Sequence, residues 1–132
     1  MGFSLEIVTP RGIYLTEEVE SLTIKLSSGY RTILKGHTPL IGSLAYAPMR
    51  YVKNGKLEEF AVHGGAINVT KEKITLVCNA IENKKEIDVA RAKAAKERAE
   101  KRIKDKDPNI DLKRAQLALQ RALVRLELAG KD

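Results

Sequence analysis

The chain lacks several features that would indicate particular classes of protein. It has no tryptophan, and aromatic residues make up only 5% of its 132 residues, so we expect a core of aliphatic side chains. No apolar run reaches the roughly 18 residues that a membrane-spanning helix needs. The single cysteine, Cys78, excludes an internal disulfide and is typical of a reducing compartment. The first residues lead directly into a strand-like pattern, so we expect no signal peptide.

Recognisable catalytic motifs are also missing. The two histidines, His37 and His63, have no cysteine or carboxylate at the spacing of metal ligands. The sequence contains no nucleophile motif, P-loop or dinucleotide-binding fingerprint. We therefore expect a protein that is not itself an enzyme, with no metal site and no required cofactor.

Positive charge is in excess. The formal net charge is +7, which favours an acidic partner such as a nucleic acid, a phosphate ligand, an anionic membrane or an acidic protein surface. Residues 86–132 contain 13 Lys and Arg against 9 Asp and Glu, without a dense basic run. A nucleic-acid-binding module with a basic helical hairpin is thus the alternative function, but dispersed charge and few aromatic residues count against it.

Residues 1–85 have the pattern of a β domain. They contain seven to ten short alternating segments with turns every 6–12 residues and no intervening helix, which predicts an antiparallel sandwich or barrel. Asn54-Gly55 supplies the positive φ angles of a type I′ turn and is the best hairpin signal. His63-Gly64-Gly65 allows a bulge or tight corner, and a further hairpin is predicted across residues 70–72.

The hydrophobic period changes at residue 86, where a helical hairpin is predicted. The first helix carries a mostly alanine stripe, and the second alternates leucine and alanine on one face: Ala92, Ala95, Ala99 and Ile103, then Leu112, Ala115, Leu119, Ala122, Leu126 and Ala129. Asp107 and Pro108 suit the cap and first turn of the second helix, and Gly130 suits its end. The fold class is therefore α+β, with domains 1–85 and 86–132. An alanine seam buries little area, so we expect a hairpin that can open without unfolding the β domain.

The hairpin arginines predict an anion site. Arg91 and Arg98 share one helix face, Arg121 and Arg125 share another, and antiparallel pairing would bring all four guanidinium groups near Asp88. Arginine binds phosphate oxygens bidentately, so a nucleotide triphosphate would relieve the repulsion. The alternative is a solvated face whose charges pair with three acidic residues, namely Glu97, Glu100 and Glu127.

A repeated motif tempers this hypothesis. The pattern Ile-Asp-x-x-Arg-Ala occurs at residues 87–92 and again at residues 110–115. An Asp in the first turn of a helix with Arg three residues later is general helix-start chemistry. The motif alone is therefore weak evidence for a binding site.

The whole chain resembles the epsilon subunits of bacterial F-type rotary ATP synthases. The resemblance rests on four segments in order, at residues 5–10, 36–40, 61–65 and 86–92. It implies a ten-stranded β-sandwich resting on the gamma subunit and the membrane c-ring, and a two-helix domain that is either compact or extended. The extended form would lie between the alpha and beta catalytic subunits and inhibit ATP hydrolysis. The complex would hold the chain at the cytoplasmic face of the bacterial membrane as a peripheral subunit.

The resemblance also implies two sets of functional residues. In some family members ATP binds the compact hairpin as a regulatory ligand, and the matching residues here are Glu82, Ile87, Asp88, Arg91, Ala92, Arg98, Arg121 and Arg125. Rotor docking would involve Tyr30, Arg31, Gly36 and His37. Residues 28–35 depart from the acidic, glycine-rich run usual in the family, which affects the chemistry of docking there. In the extended state a basic face would meet acidic catalytic subunits through Lys113, Arg114, Arg121 and Arg125.

Overall fold

The computed structural model describes residues 2–105 and 111–130, which form a β domain followed by two helices. Eight strands come first: β1 Phe3–Thr9, β2 Gly12–Val19, β3 Ser21–Leu26, β4 Gly29–Leu34, β5 Leu40–Lys53, β6 Lys56–Val69, β7 Lys73–Cys78 and β8 Ile81–Asn83. A single 3₁₀ turn, Lys84–Glu86, leads to helices α1 (Val89–Asp105) and α2 (Leu112–Ala129). The predicted α+β fold class is confirmed.

The strands form a sandwich in the order β2-β1-β7-β6-β5-β3-β4, with β8 added beside β6. Every pairing among the described strands is antiparallel except that of β1 with β7, which is parallel and was not predicted. The resemblance implies ten strands, whereas eight are found among the described residues because β5 and β6 are each 14 residues long. The core is mostly aliphatic, as expected, with Leu5, Ile7, Leu22, Ile74 and Leu76 fully buried.

The long β5–β6 hairpin pairs with different strands along its length. Its turn is the predicted Asn54-Gly55, whose φ angles are 51° and 73°. Residues 60–62 of β6 pair with β8, and residues 65–69 pair with β7. Gly64 and Gly65 lie between these parts with φ of 77° and 142°. A Cβ atom at Gly65 would lie 2.0 Å from the Val77 carbonyl oxygen, so the predicted corner requires glycine.

Two strand assignments were not predicted. A proline removes a ladder N–H and is unusual inside a strand, but β5 is continuous through Pro48. Pairing of β5 with β3 is interrupted between Leu44 and Arg50, so the missing N–H of Pro48 falls where the ladder to β3 is already irregular. Strand β2 was not recognised, because most of its side chains are exposed and it carries two consecutive acidic residues, Glu17 and Glu18.

The two helices contact each other along the predicted alanine seam. Ala92 and Ala99 are buried on α1, and Ala115 and Ala122 are buried on α2. Leu112, assigned to the same stripe, is 51% exposed because it lies at the first turn of α2, at the end remote from the sheet. These small side chains allow close approach and bury little area.

The ends of α2 differ partly from the prediction. Its N-cap is Asp111, whose side chain accepts a hydrogen bond from the Arg114 backbone N–H at 3.1 Å, so the predicted cap at Asp107 is wrong. Asp107 and Pro108 themselves lie outside the described residues. Gly130 is the C-cap, as predicted, and its N–H bonds the Leu126 carbonyl at 3.0 Å. Neither helix of the described part is long and apolar enough to cross a membrane.

Helix α2 also attaches the hairpin to the sheet through a second apolar face. Val124 and Leu128 are buried against Ala61 of β6, and Tyr46 and Ile87 complete this small cluster. The predicted stripe did not include Val124 and Leu128, because it followed only the face that meets α1. Docking therefore places the C-terminal half of α2 beside the start of α1.

Candidate functional site

A cavity of about 390 Å³ lies where the sheet, the start of α1 and the end of α2 meet. It is lined by acidic, basic and small side chains: Glu82, Glu86, Asp88, Arg91, Ala92, Ala95, Arg98 and Arg125. Six of the eight residues predicted for the ATP site are among them. Its volume is within the usual range for small-molecule pockets, roughly 300–1,000 Å³.

Glu82 is the carboxylate that joins the sheet to α2. Its Oε1 accepts a hydrogen bond from the Arg125 Nε and another, at 3.1 Å, from the His63 Nε2. Burial alone would raise the pKa of Glu82, but the hydrogen bonds from Arg125 and His63 outweigh it and lower the pKa. Glu82 is therefore ionised near neutral pH and restrains Arg125 beside the cavity.

The other two carboxylates at the cavity are used mainly in backbone capping. The Asp88 Oδ1 accepts a hydrogen bond from the Arg91 backbone N–H at 3.0 Å. The Glu86 Oε1 accepts bonds from the Asn83 backbone N–H and the Tyr14 hydroxyl, both at 3.3 Å. Neither carboxylate makes an ion pair with an arginine among the described residues.

Arg91 and Arg98 line the cavity without an acidic partner in the described part of the chain. The alternative hypothesis, in which the hairpin arginines pair with nearby glutamates, is not supported. None of the ion pairs among residues 2–105 and 111–130 includes Glu97, Glu100 or Glu127. Two unpaired guanidinium groups at one cavity make it suitable for a polyanion.

Two predicted residues lie beside the cavity rather than in its lining. Ile87 packs against the cluster of Val124 and Leu128 that docks α2 on the sheet. Arg121 is exposed, but its charge contributes to lowering the pKa of His63, which places it near the same junction. The structure therefore brings all eight residues to one region, six of them in direct contact with the cavity.

Three residues at this junction were missed by the sequence reasoning. Glu86 and Ala95 line the cavity, and His63 lies beneath it, bonded to Glu82. Ala95 belongs to the predicted alanine stripe of α1, which faces α2. Its place in that stripe was a usable signal for its position at the cavity. His63 had no usable local signal, since its partner Glu82 is 19 residues away and reaches it only through β6–β8 pairing.

The comparisons with known proteins cover nearly the whole chain. Residues 2–84 match the family model of the ATP synthase delta/epsilon chain beta-sandwich domain, and residues 85–130 match the model of its long alpha-helix domain. This chain belongs to the ATP synthase delta/epsilon chain family. The family prediction made from the sequence is confirmed.

Relatives in this ATP synthase family share about two fifths of their residues with the chain. An ATP synthase epsilon chain from Desulfitobacterium hafniense is 42% identical, covering 96% of both chains. One from Bacillus cytotoxicus is 41% identical, covering 97% of this chain and 96% of its own. A chain of the Euglena gracilis mitochondrial ATP synthase superposes with a TM-score of 0.86 at 22% identity, covering 98% of this chain and 82% of its own. That likeness supports the fold alone.

The residues predicted for rotor docking in this family member do not form one cluster. Arg31, Gly36 and His37 line a groove of about 330 Å³ at the end of β4. Tyr30 is on the opposite face of β4 and lines a separate cavity with Arg50 and the C-terminal end of α2. Residues 29–34 form an edge strand, so Tyr30 and Arg31 lie on a strand, whereas Gly36 and His37 lie in the connection that follows it. His37 packs edge-on against Phe3, with ring centroids 5.5 Å apart.

Proposed function

We propose that this chain is a non-catalytic rotor subunit of an F-type ATP synthase. It couples ion-driven rotation to ATP synthesis and inhibits ATP hydrolysis through a movable helical hairpin. The docked hairpin binds ATP as a regulatory ligand. Family membership and the named epsilon-chain relatives support the subunit assignment.

The cavity at the hinge is the observation that carries the nucleotide part of the proposal. Arg91 and Arg98 face it without acidic partners among the described residues, and Arg125 is held there by Glu82. The planar guanidinium fork suits phosphate oxygens, because it can donate two parallel hydrogen bonds. Ala92 and Ala95 leave room for a flat ligand beside the arginines.

Hairpin movement is supported by the way the helices are attached. The α1–α2 seam is made chiefly of alanine, and α2 meets the sheet through two buried large side chains, Val124 and Leu128. Burying one such side chain contributes about 1.5–3 kcal/mol, so docking is weak compared with the sandwich core. A ligand that contacts both helices and Glu82 favours the docked state by its preferential affinity for that state.

The proposed partners follow from this arrangement. The β domain docks on the gamma subunit and the c-ring, with Arg31, Gly36 and His37 at one candidate contact and Tyr30 at another. The undocked hairpin reaches the alpha and beta catalytic subunits. Its exposed basic side chains, Lys113, Arg114 and Arg121, then meet an acidic surface together with Arg125. The chain is thus a peripheral component at the cytoplasmic face of the membrane.

The nucleotide assignment is tested by titrating ATP into the purified full-length chain by calorimetry. The double variant Arg91→Ala plus Arg125→Ala should lose at least about 100-fold in affinity, since each charge-assisted hydrogen bond contributes about 1.5–3 kcal/mol. The matched control is Arg11→Ala plus Lys71→Ala, which removes the same charge from two exposed positions outside the cavity.

The control should bind ATP within about twofold of the wild type, because distant surface charges are screened at physiological salt. Equal affinity for ATP in the double variant and the control would refute the site. An absence of ATP binding by the wild-type chain would refute the regulatory-ligand function while leaving the subunit assignment in place.

A further inference from the structure

His63 is the buried polar residue beneath the hairpin, and it has no part in the nucleotide contacts proposed above. Only 1% of its surface is exposed, and among the described residues it is the only buried residue with a polar or ionisable side chain apart from tyrosine and cysteine. It shares a face of β6 with Ala61, two residues earlier, which packs under Val124 and Leu128. Undocking of α2 would therefore expose the His63 ring to water.

The contacts of His63 define its tautomer. Its Nε2 lies 3.1 Å from the Glu82 Oε1, and because a carboxylate only accepts hydrogen bonds, the Nε2 must carry the proton. Its Nδ1 is buried and has no hydrogen-bond partner in the described residues. A neutral ring fits these contacts, because its single proton is on the Nε2 that donates to Glu82. A protonated ring would also bury an Nδ1–H without an acceptor.

We propose that His63 is a positioning residue of the hairpin junction: its neutral ring directs Glu82 toward Arg125, and its protonation releases α2 from the sheet. The inference rests on the proposed function in that the released hairpin is the inhibitory state. It adds a proton as a second regulator, acting in opposition to ATP.

Burial of His63 and the charged groups around it together determine the sign of this effect. Glu82 on β8 favours the protonated ring, whereas Arg125 and Arg121 on α2 oppose it, and the Tyr46 phenol ring on β5 lies 6.2 Å away, centroid to centroid. Burial and the two arginines together outweigh Glu82, so the pKa of His63 is lowered in the docked state.

A lowered pKa means that the docked state binds the proton less well than the undocked state. Docking is therefore fully favoured above the ordinary histidine pKa of about 6.5 and weakens as the pH falls through the lowered docked value. An ordinary glutamate has a pKa of about 4.3, and the pKa of Glu82 is lowered from its ordinary value. Glu82 therefore stays ionised over this interval.

The direct test is an NMR titration of the two histidine rings in the full-length wild-type chain, with His37→Gln used to assign the signals. The midpoint for His63 in the chain without ATP should lie below about 6.5, the ordinary histidine value. A midpoint at or above the ordinary value would overturn the proposal.

The second measurement follows docking itself. Nitroxide labels on Lys71→Cys and Lys101→Cys report the distance between the β domain and α1, and Cys78 can stay because burial raises its pKa to about 11 and suppresses labelling. The equilibrium constant for docking should fall several-fold between pH 7.5 and pH 5.5. Linkage to one proton can change this constant by at most about tenfold per pH unit.

His63→Gln separates titration from packing, because the glutamine amide can donate to Glu82 but does not titrate in this interval. It should abolish the pH response while restoring docking relative to His63→Ala at pH 7.5. His37→Gln, in the other histidine, should keep the full response. A response that persists in His63→Gln, or a wild-type docked fraction that is independent of pH, would overturn the proposal.

These results are independent of the nucleotide assignment. If the wild-type chain does not bind ATP but its hairpin still undocks on acidification, the nucleotide function is wrong and the role of His63 stands. If ATP binds and the docked fraction does not change with pH, the role of His63 is wrong and the nucleotide function stands. If His63→Gln fails to fold, the wild-type histidine midpoint decides the question.

Discussion

The hairpin contains two copies of one motif, at residues 87–92 and 110–115, and their described parts have nearly the same local structure. Asp88 and Asp111 each accept a hydrogen bond from the backbone N–H three residues later, at 3.0 and 3.1 Å. The alanine that ends each copy is buried in the seam between the helices, with 3% exposure for Ala92 and 4% for Ala115. In both copies the motif starts a helix and packs it.

The difference lies in what surrounds each copy. Arg91 lines the cavity beside the sheet, where Glu82 and Arg125 form its other side. Arg114 is exposed near the other end of the hairpin, at the first turn of α2. The same six-residue pattern therefore acquires a candidate binding role only where the β domain supplies a second wall. A short motif specifies the helix start, whereas the fold specifies the site.

The largest effect should be the difference between two leucine-to-alanine changes in α2, one near the sheet and one at the opposite end of the helix. Leu128 is 1% exposed in the docking cluster, so Leu128→Ala should destabilise the docked state by about 2–5 kcal/mol. The matched change Leu112→Ala removes a leucine that is 51% exposed and should cost less than about 0.5 kcal/mol. Amide hydrogen exchange along α2 measures both values. Equal costs would show that the docked arrangement is not the state in solution.

The next largest effect concerns the arginines of the two copies. Arg91→Ala should weaken ATP binding about 10–100-fold, because it removes charge-assisted hydrogen bonds worth about 1.5–3 kcal/mol. Arg114→Ala has the same motif position and charge change and should leave affinity within about twofold, since Arg114 is outside the cavity. Calorimetric titration of both variants measures the contrast. A similar loss in both would mean that charge, and not the cavity, governs binding.

Much of the fold could be predicted because its signals are local. The Asn54-Gly55 turn needs positive φ angles that few other pairs adopt, and the structure has them. The alanine seam follows from helical periodicity, and the change of period near residue 86 is close to the start of α1 at Val89. These features depend on residues only a few positions apart.

The missed features depend on residues far apart in the chain. The parallel β1–β7 pair joins strands from near the two ends of the β domain's sequence, and no turn sequence signals it. Docking by Val124 and Leu128 depends on Ala61 of β6, which an analysis of the helix alone does not include. The arginines were predicted as an anion site, but the bond from Arg125 to Glu82 spans 43 residues and emerged only with the fold.

The smallest effect should be shared by both copies and so tests their equivalence as helix starts. Asp88→Ala and Asp111→Ala should each lower helix stability by about 1 kcal/mol, because each removes the acceptor for an otherwise unpaired backbone N–H. Asp88→Asn and Asp111→Asn are the controls, since an asparagine oxygen caps nearly as well. Circular dichroism during thermal unfolding measures all four. A loss at Asp88 several-fold larger than at Asp111 would show that Asp88 stabilises the junction with the sheet as well as the helix, and the two copies would then differ in more than their surroundings.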